Sequence, residues 1–104
     1  MTIQEIYDLA IEMGINADPR GYDVVKQLLE KQKKEYKELP EKKKKYFDLE
    51  GLTNPYTDSR LLFGDPKKKV KKILAGVDAG STEVLLADRL NQKGDSIDPL
   101  ISHH

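Results

Sequence analysis

Apolar and polar positions alternate along this chain with helical spacing at the front and in blocks at the back. Ile3, Ile6, Leu9, Ala10 and Met13 recur every three or four residues, which predicts an amphipathic first helix with those side chains on its buried face. Thr2-Ile3-Gln4-Glu5 reads as a capping box at its start, and Gly14 is placed to end it in the left-handed conformation. Such a helix is expected to pack over one face of a sheet. Asn16 to Pro19 reads as a turn, with Asp18 as N-cap and Pro19 at the first position of a second helix. From Tyr22 onward Val24, Val25, Leu28 and Leu29 share one face, and beyond Glu30 the chain is almost wholly charged. Pro40 breaks this helix, and Leu39-Pro40-Glu41 opens another that ends near Phe47.

The second half is blocked rather than periodic. Asp48 to Thr57 is rich in turn formers (Gly51, Asn54, Pro55), and Arg60 to Gly64 is a short apolar run expected to be a strand. A further apolar run, Ile73 to Val77, predicts a strand that stops at Asp78 and the small-residue turn Ala79-Gly80-Ser81. Ser81 to Gln92 reads as a helix with Ser81 as N-cap and Gly94 as its stop. Leu100 to Ser102 then forms a strand running into His103-His104. The fold class is α/β: N-terminal helices followed by a βαβ unit of a mixed or parallel sheet. The organisation expected is one domain or N-terminal fragment, with a helical front over 1–47, an irregular linker over 48–58, and a strand plus βαβ unit over 59–104. Parallel strands joined by a crossover helix end at one edge, where open α/β sheets bind ligands. Asp78 and the two histidines are therefore expected to share that edge.

Composition narrows the chemistry. The 104 residues carry 18 basic and 18 acidic side chains, so no global field draws in nucleic acid or an anionic membrane. There is no cysteine, which leaves His and carboxylates as the only strong metal donors. Neither a signal peptide nor a membrane span is legible, and the expected location is cytoplasmic.

Three stretches are candidates for function. The lysine-rich run KQKKEYKELPEKKKKYF has interleaved tyrosines, but Glu30, Glu35, Glu38 and Glu41 lie at cross-turn spacing among its lysines and it holds no arginine. It reads as a solvated helix rather than a nucleic-acid surface. Asp78-Ala79-Gly80-Ser81-Thr82 is similar to the first phosphate loop of the sugar-kinase and actin-type ATPases, but helix formers follow where that family has a hairpin. His103-His104 is the sharper signal. Adjacent residues in a strand project to opposite faces, whereas at a strand end two imidazoles can diverge toward two neighbouring ions. Neutral imidazole suits zinc, iron, manganese, nickel or cobalt. Asp98 to Ser102 reads as native loop and strand leading into the pair, not as the spacer of an affinity tag.

LLFGDPKKKVKKILAGVD, then a helix, then IDPLISHH resembles the N-terminal part of the Nif-three-like proteins, the homologues of the yeast Ngg-interacting factor three. These are also described as dinuclear metal-centre or type-2 GTP-cyclohydrolase-like proteins. Gly64-Asp65-Pro66, Val77-Asp78 and Ile101-Ser102-His103-His104 match that pattern in order and spacing. The resemblance implies that His103 and His104 are ligands of a site for two divalent transition-metal ions, with Asp78 at its rim. It implies a metal-dependent hydrolase acting by GTP ring opening or on phosphoesters or nucleotides. The family's remaining ligands, an Asp, a His and a Glu, fall beyond His104, so residues 1–104 are expected to be a truncated, inactive portion. The resemblance also implies homo-oligomers and a protein partner related to transcriptional co-activators, with Thr2 to Phe47 as an assembly surface.

Overall fold

The computed structural model describes residues 1–103. The chain contains helices α1 (Ile3–Ala17), α2 (Tyr22–Glu38) and α3 (Glu41–Lys44), and then a 3₁₀ turn, Leu49–Leu52. Strand β1 (Lys72–Gly76), helix α4 (Ser81–Gln92) and strand β2 (Ile97–Ser102) follow. The mixed α/β class is therefore observed. Two compact units result: one is Tyr7–Phe63, and the other joins Met1–Ile6 to the chain from Gly64 onward.

The sheet-bearing unit is a β1-α4-β2 crossover whose two strands pair in parallel. Register runs Lys72 to Ile97, Leu74 to Leu100, Ala75 to Ile101 and Gly76 to Ser102. One extra residue of β2 is accommodated between the first two pairs, at Asp98-Pro99. Proline has no N–H to give a ladder, so a bulge is where a strand tolerates it. Asp98 compensates: its Oδ2 accepts the backbone N–H of Lys71 at 2.7 Å and lies 3.5 Å from that of Lys72. At the other end of the crossover, Asn91 latches α4 to β2, donating to the Ile97 carbonyl at 3.0 Å and accepting the Ile97 N–H at 2.7 Å. Gly94, at φ 102°, makes the left-handed exit from the helix that its position predicts. The N-terminal segment joins this unit through hydrogen bonds from Ile3 N to Lys68 O, Gln4 N to Pro66 O and Val70 N to Met1 O.

Several expectations are corrected in the helical unit. The capping box is present, with Thr2 and Glu5 each accepting the other's backbone N–H, at 3.2 and 3.1 Å. Gly14 does not end α1, which runs on to Ala17. Gly14 instead lets the Tyr56 ring close on the helix: a Cβ there would lie 3.3 Å from Tyr56 Cε2. The inward face of α1 is also rotated. Leu9 and Met13 are exposed, while Tyr7, Ile11 and Ile15 are half-buried. From Tyr7 onward the helix faces the 48–60 segment, not a sheet, because the Tyr7 hydroxyl accepts from Asn54 Nδ2 at 2.8 Å.

Asp18 and Pro19 do not start α2. Gly21 is the N-cap at φ 91°, and the Asp18 carboxylate binds the Arg20 backbone and guanidinium. The stretch expected to be a linker holds Asn54, which is 1% exposed. Arg60 to Gly64 is not a strand, for a reason visible in its partners. The Leu61 N–H goes to Glu50 Oε1 at 3.2 Å, and the Ser59 carbonyl accepts from Asn54 and Arg60. Side chains have taken the backbone groups that a ladder needs. Val25 is the fully buried apolar side chain of this unit, and Leu29 is half-buried beside it on the same helix.

Candidate functional site

The carboxyl edge of the parallel pair is built by backbone geometry. Where β2 ends, the N–H of His103 reaches the carbonyls of Val77 at 3.0 Å and Gly76 at 3.2 Å. That bond brings His103 beside the residues immediately preceding Asp78, as the crossover topology requires. The imidazole-bearing residue and the Asp78 turn are both exposed. His104 lies outside the described residues.

The Asp78–Thr82 turn is committed locally. Gly80, not Ser81, is the N-cap of α4, and its N–H donates to Glu83 Oε2 at 2.9 Å. The Glu83 carboxylate thus caps the helix start with the chain's own negative charge. Helix α4 follows directly, so the hairpin of an ATPase-type phosphate loop is absent.

What the edge offers chemically is an imidazole and a carboxylate on one rim. Among the described residues no group of three His, Asp or Glu side chains is gathered closely enough to hold a metal ion. These donors do not form a closed metal site by themselves. No residue was predicted to fix the approach of β1, yet Asp98 does so. Backbone hydrogen bonds, first from Lys71 and then from Lys72, hold its carboxyl below the ordinary aspartate range, with the Lys68 ammonium 3.7 Å away adding to the effect. Asp98 to Ser102 reads from sequence only as loop and strand, which hides this role.

A carboxyl with a depressed folded pKa contributes stability above its unfolded value, lost as pH falls through the folded one. Below about pH 4 the sheet-bearing unit is therefore expected to loosen first at Lys71 and Lys72. Asp98→Ala is expected to speed hydrogen exchange at those two amides already at neutral pH and to flatten that acid response. Unchanged exchange at both amides would count against the clamp.

Tyr7–Phe63 carries a second feature, a groove of about 490 Å³ lined by Tyr7, Asp8, Ile11, Glu12, Ile15 and Tyr22, among others. Its floor is the Tyr7-Ile11-Ile15 stripe of α1, and Asp8 and Glu12 stand on the same lip one helical turn apart. Sequence reasoning missed it by choosing the neighbouring stripe, although the four-residue spacing of Tyr7, Ile11 and Ile15 was available.

No helix among the described residues is long and apolar enough to cross a membrane. Comparison with protein-family models, with curated proteins and with solved structures finds no match to this chain.

Proposed function

We propose that this chain is the front portion of a dinuclear metal-binding protein of the Nif-three-like type, cytoplasmic, and a metal-dependent hydrolase when its ligand set is complete. The observation that carries this reading is the His103 amide held to the Gly76 and Val77 carbonyls at the shared carboxyl edge. The backbone there anchors His103, which His104 follows in the sequence. Zinc, iron or manganese would supply a polarised water for hydrolysis of a purine ring or a phosphoester. His103 and His104 would contribute imidazole to that ligand set, and two such ligands without carboxylates are expected to bind metal weakly.

Cobalt(II) titration, followed by visible absorption, tests the assignment. His103→Ala combined with His104→Ala is expected to weaken binding by at least about a hundredfold, since even outer partners of metal ligands are worth about ten- to a hundredfold. Equal affinity in the unaltered and doubly substituted chains would remove the metal reading.

A second reading, an assembly module, is favoured by the groove on the helical unit. In that reading the chain associates with copies of itself or a protein partner through the front of the molecule. The two readings are compatible and rest on different residues.

A further inference from the structure

Tyr46 is 81% exposed, an aromatic side chain standing out from the helical unit. It follows four consecutive lysines, Lys42 to Lys45, of which Lys42, Lys43 and Lys45 are exposed. Lys44 is engaged with the Glu41 carboxylate at 3.2 Å and lies over the Tyr36 ring. The Lys45 ammonium sits 5.0 Å from the Tyr46 ring centroid, so the knob and its charge are presented together. The groove on α1 has the complementary character: an apolar floor from Tyr7, Ile11 and Ile15 under the carboxylates of Asp8 and Glu12. Its volume of about 490 Å³ has room for one aromatic side chain with its flanking stems.

We infer that the groove receives the Lys42–Tyr46 segment of a second copy of this chain, Tyr46 entering between Ile11 and Ile15 while the lysines face Asp8 and Glu12. The inference rests on the assembly reading and is independent of the metal reading. Knob and groove are different patches of one unit, so the contact is heterologous and propagates head to tail. Tyrosine is a frequent anchor at such contacts, combining a large apolar area with few rotatable bonds. One side chain in one groove buries far less than a permanent interface does, so the association is weak and concentration-dependent. Because charge opposes charge around the anchor, salt weakens it further.

Sedimentation velocity of the full chain, up to about 1 mM and at about 50 and 500 mM salt, reads the effect directly. The expected result is reversible association at low salt, reduced at high salt. Tyr46→Ala is expected to weaken association by about tenfold or more, as truncation of an anchor does. Asp8→Lys with Glu12→Lys is expected to do the same, and adding Lys43→Glu with Lys45→Glu is expected to restore it. All these positions are exposed, so the variants retain the fold, which circular dichroism checks.

Chains that stay monomeric throughout would overturn both the inference and the assembly reading. Association indifferent to Tyr46→Ala would overturn the inference alone. So would association lost in Leu62→Ser with Phe63→Ser but kept in Tyr46→Ala: it would seat that apolar pair, 90% and 97% exposed, in place of Tyr46.

Discussion

Asn54→Ala is expected to lower the unfolding free energy of the helical unit by about 3 kcal/mol, roughly one for each hydrogen bond lost. Asn54 closes its own loop, through Tyr56 and Ser59, and ties that loop to α1 through Tyr7. Its Nδ2 donates to the Tyr7 hydroxyl and the Ser59 carbonyl, both at 2.8 Å, and its Oδ1 accepts the Tyr56 N–H at 2.9 Å. Alanine supplies none of these and leaves a gap too enclosed for free hydration. Asn54→Asp is the informative companion. It keeps the acceptor for Tyr56 but sets an oxygen against the Ser59 carbonyl, so most of the loss is expected to persist.

Urea unfolding followed by tyrosine fluorescence measures both variants. A midpoint shared with the unaltered chain would mean that Asn54 is buried without organising anything. The effect reaches the groove, because Tyr7 belongs to its floor: a loosened Tyr7 is expected to weaken self-association as well.

Val25→Asp is expected to unfold the same unit outright. Val25 is fully buried, and no other apolar side chain among the described residues is buried to that degree. Val25→Ala alone removes two methyl groups and is expected to cost about 2 kcal/mol. Aspartate adds an unpaired carboxylate in apolar surroundings, worth several kcal/mol more. Domains of this size hold a margin of about 5 kcal/mol at the low end of the usual range, which the sum exceeds. Loss of most helical circular dichroism, with no cooperative thermal transition left, is the expected observation. A Val25→Asp chain that melts cooperatively near the original temperature would show that stability comes from the polar network instead.

The βαβ unit was legible because its signals are local and agree with one another. Ile73 to Gly76 is apolar and bounded by lysines and a small-residue turn, α4 is made of strong helix formers, and Gly94 supplies the positive φ at its exit. The helical unit was legible only in outline. Its helices announce themselves by periodicity, but the face each presents is chosen by distant polar partners. Tyr7 rather than Leu9 turns inward because Asn54 waits for its hydroxyl, and no spacing rule contains that pairing. Arg60 to Gly64 carries a strand-like composition, yet Glu50 captures the Leu61 amide and Arg60 is drawn to the Asp48 carboxylate. Such captures join residues about ten positions apart and leave no periodic trace. At the candidate edge, Asp78 and His103 were placed by topology alone, whereas the role of Asp98 was hidden because its partners, the Lys71 and Lys72 amides, lie far away in sequence.

The hydrogen bonds from Ile3 to Lys68 and from Val70 to Met1 join two stretches that the whole of Tyr7–Phe63 separates along the chain. Everything from Tyr7 to Phe63 can condense during synthesis while the opening segment still lacks its counterpart. Ring closure over so long a span carries an entropic toll that only late, non-local contacts repay. This seam is accordingly expected to be the last part of the chain to knit as it folds.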